Sequence, residues 1–308
     1  MPIRVVFMGS PEFSLPSLEA LAGSFDVSGV VTQPDRPAGR GRKLTPPPIK
    51  TLADELGIPV IQPRRLADGD ALSVLKQWNP DLIVVTAFGQ ILRPEVLDLP
   101  PHGSLNVHAS LLPRWRGAAP IQAAILHGDP RTGVTIMRMD TGIDTGPILS
   151  QQELAISDQE TAGSLSPKLA QFGAQLLIET LPAYLNGDLQ AIPQEGEPSY
   201  APMLKKSDGE LDFKQSAIAL ERKIRAYQPW PGTFITWNNE RLKIHQARTM
   251  PIIASEKKHV DTPGRHLILE DYPAVITGEG VLILEQVQPA GKKPMPGPVF
   301  LRGAREWI

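Results

Sequence analysis

The chain has 308 residues, 41% of them hydrophobic and 21% charged, with a formal net charge of −2. Those values predict a folded globular protein of about two domains and exclude a disordered or fibrous chain. There is no cysteine, which excludes disulfides, thiolate metal sites and a covalent thioester mechanism. The six histidines are scattered without HExxH or comparable spacing, so no metal site is expected. No apolar run approaches the ~18 residues that a membrane helix needs. The short apolar start ending at Gly9 reads as a buried strand and not a secretion signal, so a cytoplasmic protein is expected.

In chain order, Ile3–Met8 reads as a strand closed by Gly9-Ser10-Pro11, and Leu15–Leu21 has helical spacing. Val27–Val31 is a second apolar run, followed by a loop rich in Pro, Gly and Arg. Ile49–Leu56 predicts a helix, Ile58–Ile61 a short strand and Ala71–Trp78 another helix. Asp81–Ala87 is a nearly unbroken apolar run of β-forming residues. Runs of that kind are buried on both faces, and their alternation with helices predicts a doubly wound parallel sheet in an α/β domain. Ser104–Val107 and Val134–Met139 read as further strands with a Pro120–Leu126 helix between them. Thr161–Leu185 reads as a long helical stretch with a possible break at Gly173. Residues 1–188 are thus expected to form the first domain.

Residues 189–208 are rich in Pro, Glu and Lys and lack periodicity, as an interdomain linker would. After a Ser216–Ala226 helix, short alternating runs at Thr233–Trp237, Leu242–Ala247, Ala274–Thr277 and Val281–Val287 predict a small antiparallel barrel within residues 209–308. Charge is uneven. Residues 205–308 carry 16 basic and 12 acidic residues of the chain's 31 and 33, leaving 15 and 21 for the remainder. A mildly basic C-terminal part behind an acidic N-terminal part points to a polyanionic partner.

Gly9-Ser10-Pro11 is not the glycine fingerprint of a dinucleotide-binding turn, and no phosphate-binding P-loop pattern occurs. Asn106 and His108 lie two apart on a strand, so their side chains share a face, and strand ends are where such sheets place their sites. An amide beside an imidazole suits acyl transfer to an amine, the amide donating to a developing oxyanion and the imidazole moving a proton. The pair also fits a satisfied histidine at a strand end beside an asparagine that opens a turn. Asp140 and Asp144 both sit in the Gly-rich loop after Val134–Met139, where either orients the histidine or simply forms a turn.

The run Asn106-Val107-His108-Ala109-Ser110-Leu111-Leu112-Pro113-Arg114-Trp115-Arg116-Gly117-Ala118-Ala119-Pro120, with Asp140-Thr141-Gly142-Ile143-Asp144-Thr145-Gly146 after it, resembles the folate-dependent formyltransferase superfamily. Segments 32–44, 225–232 and 288–293 extend the resemblance almost from end to end, towards the branch whose acceptor is methionyl initiator tRNA. The resemblance implies a Rossmann-like catalytic domain followed by a smaller, tRNA-binding OB-like barrel, with 10-formyltetrahydrofolate as donor and a monomeric state. It assigns oxyanion stabilisation to Asn106, proton transfer to His108 and the orienting carboxylate to Asp144. The Ser110-Leu111-Leu112-Pro113 turn would line the folate pocket, and Phe88 and Gly89 either border it or close a strand.

Within the loop after the second strand, Arg36, Arg40, Arg42 and Lys43 either meet phosphates, because guanidinium forks match phosphate oxygens and glycines let a loop reorder, or form a solvated loop; the resemblance implies that they are tRNA contacts. Lys205 and Lys206, with Lys292, Lys293, Arg302 and Arg305, are further candidates that would position RNA without reading its sequence. Trp115 either stacks on a ligand or packs under its loop, and Trp230, between prolines, reads as packing between domains. Rival readings are a formyltransferase acting on an aminosugar nucleotide or glycinamide ribotide, a formyl-folate hydrolase, and a non-catalytic RNA-binding protein. The missing glycine fingerprint disfavours a nicotinamide-dependent enzyme.

Overall fold

The computed structural model describes residues 3–38, 41, 43–66, 69–251 and 262–308. The chain divides into two compact units. The first comprises Met1–Pro120, Arg131–Ala155 and Ser166–Ala201, and the second Ile121–Pro130, Ile156–Leu165 and Pro202–Ile308. Two short segments of the first 188 residues therefore cluster with the second unit.

The elements run β1 (Arg4–Gly9), α1 (Leu15–Ala22), β2 (Asp26–Val31), β3 (Arg36–Ala38), β4 (Lys43–Thr45), α2 (Pro48–Glu55), β5 (Val60–Ile61), α3 (Gly69–Trp78), β6 (Leu82–Thr86), α4 (Pro94–Leu97), β7 (Ser104–His108), β8 (Arg116–Gly117), α5 (Pro120–His127), β9 (Arg131–Arg138), β10 (Ile148–Ala155), α6 (Ala162–Leu185) and β11 (Tyr200–Ala201). The main sheet has the order β10-β9-β7-β6-β1-β2-β5. Its five strands from β7 to β5 are parallel, and the central β1, β6 and β7 are buried on both faces, as their unbroken apolar runs require.

The expectation of a wholly parallel sheet is corrected at one edge. β9 runs antiparallel to β7, and β10 returns antiparallel to β9, so the sheet is mixed. β10 alternates between buried or half-buried and exposed positions along Gln151–Ala155 (QQELA), the pattern of a strand with one solvated face, and so lacks the apolar run that marks the central strands. The loop after β2 also differs from expectation, since β3 and β4 pair as a short antiparallel hairpin. Gly173 does not interrupt α6. A Cβ there would lie 2.7 Å from Val107 Cγ1, so glycine permits the helix to approach the sheet directly beneath the strand that carries His108.

In the second unit, α7 (Ala217–Ala226) is capped by Ser216, whose Oγ accepts from the Ala219 amide at 3.2 Å. It is followed by β12 (Thr233–Trp237), β13 (Glu240–Met250), β14 (His266–Leu269), β15 (Tyr272–Ile276), β16 (Val281–Gln288), β17 (Met295–Pro296) and α8 (Gly297–Leu301). The strands form one antiparallel sheet ordered β12-β13-β16-β15-β14, with β17 paired to β16.

Trp307, 1% exposed, anchors this unit's core. It packs edge-on to Phe300, stacks on His266 at a centroid distance of 4.0 Å, and donates from Nε1 to the Leu267 carbonyl at 2.8 Å. Trp307→Ala is expected to lower stability by about 3–5 kcal/mol through the cavity and the stranded carbonyl, read from denaturant melts. Burial also pushes the His266 imidazole below its usual 6.5, outweighing the Trp307 carbonyl that accepts from its Nδ1. The unfolded chain then binds the proton more readily. The neutral imidazole's contribution to stability is present above pH 6.5 and is lost as pH falls from there through the lower folded value. His266→Gln should flatten the slope of stability against pH in that window.

Candidate active site

Asn106 and His108 stand on β7, 9% and 5% exposed, and the alternation of the strand sends both side chains to one carboxylate. Asn106 Nδ2 donates to Asp144 Oδ1 at 3.3 Å, and His108 Nδ1 lies 3.6 Å from Asp144 Oδ2. The backbone amide of Gly117 donates to the same Oδ2 at 2.8 Å. Asp144 itself is in the left-handed region at φ 51, a conformation that a short polar side chain tolerates.

Hydrogen bonds within the loop distinguish the two aspartates. Asp140 Oδ1 accepts from the Gly142 amide at 2.9 Å and from Thr145 Oγ1 at 2.6 Å, so Asp140 forms the turn and leaves Asp144 to face β7. Gly146 lets the chain re-enter the sheet, because a Cβ there would lie 1.9 Å from the Arg138 carbonyl oxygen.

The second ring nitrogen is held from the other side. His108 Nε2 lies 2.9 Å from the Trp115 carbonyl oxygen, which only accepts, so Nε2 carries the hydrogen. In the neutral ring Nδ1 is then the basic nitrogen, and it faces Asp144. The site thus offers an amide on Asn106 whose second N–H meets no acceptor among the described residues, a tautomer-fixed imidazole, and a carboxylate placed to stabilise a proton arriving at Nδ1.

Ser110, Leu111, Leu112 and Pro113 turn beside this cluster. Ser110 is buried and its Oγ donates to the Arg114 carbonyl at 2.7 Å. The Leu112 amide donates to Thr135 Oγ1 at 3.2 Å, Leu112 is buried, and Leu111 is half-buried over Gly133. Phe88 is 2% exposed and sits in the core of the first unit, so its side chain presents no surface to a ligand. Ala87 and Gly89, both exposed and at positive φ, form the outer backbone of that turn. Trp115 is buried under the Arg114 guanidinium, 4.2 Å from its ring centroid, which favours packing over ligand stacking. Trp230 is half exposed.

Of the basic candidates, Arg36, Lys43, Lys205, Lys206, Lys292, Lys293, Arg302 and Arg305 are exposed, whereas Arg40 and Arg42 lie outside the described residues. Asp35, the acid beside Arg36, is engaged elsewhere. Hydrogen bonds from Gln62 and then Lys50 hold its carboxyl below the usual 3.8, and Arg36 itself donates to Gln33. Among the described residues no group of His, Asp and Glu is arranged to hold a metal ion, and no helix is long and apolar enough to cross a membrane.

Residues 3–181 match the formyl transferase family, and residues 203–305 match its C-terminal domain. The chain belongs to the formyl transferase family. A methionyl-tRNA formyltransferase of Myxococcus xanthus is 49% identical over 97% of this chain and 95% of its own length. A methionyl-tRNA formyltransferase of Chloroflexus aggregans is 45% identical over 98% and 97%. At the level of fold alone, an N-formyltransferase from Helicobacter canadensis, solved with folinic acid and dTDP-3-aminofucose, superposes with a TM-score of 0.66 at 20% identity over 92% of this chain and 99% of that one. Residue types alone did not mark two groups that bond this cluster, the Trp115 carbonyl and the Gly117 amide. Both are backbone atoms, and only the glycine at 117 with φ 111 hints at an unusual turn.

Proposed function

We propose that the chain transfers the formyl group of 10-formyltetrahydrofolate to the α-amine of methionyl initiator tRNA, yielding the formylmethionyl-tRNA used to start translation. The convergence of Asn106 and His108 on Asp144 is the observation that carries this reading. Two full-length relatives of that name at 49% and 45% identity support the acceptor.

The donor set suits the folate donor, which supplies an activated formyl carbon. Asn106 spends one Nδ2 hydrogen on Asp144 and directs the other at the carbonyl oxygen as negative charge develops there. One C–N bond forms to the acceptor amine and one breaks to the donor nitrogen, so one proton must pass from the first nitrogen to the second. His108 holds that proton at Nδ1, where the Asp144 carboxylate stabilises the imidazolium. The Ser110–Pro113 turn and the backbone at Gly89 would border the folate, with Phe88 acting as their support. No covalent enzyme intermediate is required, in keeping with the absence of cysteine.

The first unit is read as a Rossmann-like catalytic domain and the antiparallel unit as an OB-like module that grips RNA. Arg36, Arg40, Arg42 and Lys43 would meet the acceptor end, and Lys205 and Lys206 the phosphate backbone. The protein acts as a monomer in the cytoplasm on this reading. Lys205→Ala with Lys206→Ala should raise KM for the tRNA and leave KM for the folate unchanged. The salt slope of RNA binding should fall by roughly one for each phosphate no longer neutralised. The reading is tested by competition between methionyl initiator tRNA and a nucleotide-linked aminosugar for labelled formyl. Label on the aminoacyl-tRNA supports it, and label on the sugar alone overturns the acceptor while sparing the catalytic trio.

A further inference from the structure

The stretch 189–208 has the composition of a linker, yet residues 192–201 are zipped onto the two segments that build the site. Ile192 exchanges both backbone hydrogen bonds with Ile148, at 2.7 and 2.8 Å, just past the Asp144 loop. Ser199 Oγ accepts from the Trp115 amide at 3.0 Å, and the Ser199 carbonyl accepts from the Arg116 amide at 2.8 Å. β11 then pairs with β8 in parallel. Gly117 is obligatory there, since a Cβ would lie 2.6 Å from the Ala201 carbonyl oxygen.

Gln194 lies between these two seams and satisfies both ends of its amide. Its Nε2 donates to the carbonyl oxygens of Asp144 and Gly146, each at 2.8 Å. Its Oε1 accepts from Arg116 Nε at 3.0 Å and from Arg116 Nη2 at 2.7 Å. One side chain thus ties the loop that carries the carboxylate to Arg116, whose chain neighbours, Trp115 and Gly117, bond His108 Nε2 and Asp144 Oδ2.

We propose that Gln194 is a positioning residue for formyl transfer, which through its two N–H donors fixes Asp144 against His108 and so makes catalytic competence depend on the docked 192–201 segment. The physical reason lies in the Asp144 backbone. A left-handed residue in a Gly-rich loop has few contacts of its own to define it, and the 3.6 Å gap to His108 Nδ1 is sensitive to small shifts. The two carbonyls flanking Thr145 are what Gln194 holds, and they set the direction in which the carboxylate points.

This inference rests on the reaction proposed above, and the test separates the two. Gln194→Met removes donors and acceptor together. Gln194→Glu keeps an oxygen for Arg116 but has no N–H for the Asp144 and Gly146 carbonyls. Formylation kinetics of the full chain should show kcat reduced roughly 10- to 100-fold in both variants, with both KM values close to wild type. Nitrogen-15 spectra of the histidine rings, with His108 assigned by its absence in His108→Asn, should show the Nε2–H tautomer held by the Trp115 carbonyl in all three chains, with the Nδ1 resonance displaced from its wild-type position in both variants as the Asp144 carboxylate shifts. The spectrum needs no substrate, so it decides the positioning role even if the wild type formylates no acceptor offered. Wild-type kcat with an unchanged His108 signal in Gln194→Met overturns the proposal. So does full recovery of kcat in Gln194→Glu, which would reduce Gln194 to an anchor for Arg116. Should Gln194→Met fail to fold, Gln194→Glu carries the same test.

Discussion

Replacing His108 with alanine should lower the single-turnover rate of formyl transfer by roughly 10²- to 10⁴-fold, the range for loss of a positioned acid–base group. The ring is 5% exposed, and its two nitrogens meet the Trp115 carbonyl and Asp144. Alanine removes the only imidazole of the cluster and leaves the Asp144 carboxylate with Asn106 and the Gly117 amide as partners. Those two bonds, with the Gln194 donors to the Asp144 and Gly146 carbonyls, keep the loop in place, so KM for both substrates should stay near wild type while kcat falls. Quench-flow measurement at saturating substrate separates the two. A variant that loses substrate affinity and keeps its rate would show that His108 serves binding.

Asp144→Asn should cost a comparable factor, roughly 10²- to 10⁴-fold in kcat, by analogy with neutralising the orienting aspartate of a catalytic triad. Asparagine tolerates the left-handed φ of 51 and keeps an oxygen for the Gly117 amide, so the fold should hold. What disappears is the negative charge facing Nδ1, which in the proposed mechanism stabilises the proton taken up during transfer. Asp144→Ala should lose the rate and, in addition, about 1–2 kcal/mol of stability from the strained backbone. The double variant His108→Ala with Asp144→Asn should be scarcely slower than His108→Ala alone, because the carboxylate acts through the ring. Additive losses would assign the two groups to separate steps.

Much of this site was legible in the residue pattern, for reasons of local geometry. Strand alternation places Asn106 and His108 on one face, and the structure keeps them there. The choice between Asp140 and Asp144 turned on hydrogen bonds inside a loop, to Gly142 and Thr145, which spacing does not reveal. Gln194 was hidden by distance along the chain, because it bonds Asp144 and Arg116 from within a segment that has no period of its own. The antiparallel edge escaped for a related reason. β10 is solvated on one face and reads as polar, whereas the buried central strands announce themselves. Glycines misled where packing overrides propensity. Gly173 looked like a possible helix break and instead lies within α6 where a Cβ would meet Val107 Cγ1 at 2.7 Å. Trp307 stands at the end of a motif-poor region, where no pattern marks it, yet it is the anchor of the second unit's core.

The most direct measurement is transfer of carbon-14 formyl from 10-formyltetrahydrofolate to methionyl initiator tRNA by the wild-type chain, with the aminoacyl group released by mild alkali and identified. The account predicts label in N-formylmethionine, formed in proportion to enzyme and absent with His108→Ala. Label recovered only as formate, or methionine that stays unformylated while the donor is consumed, would contradict it.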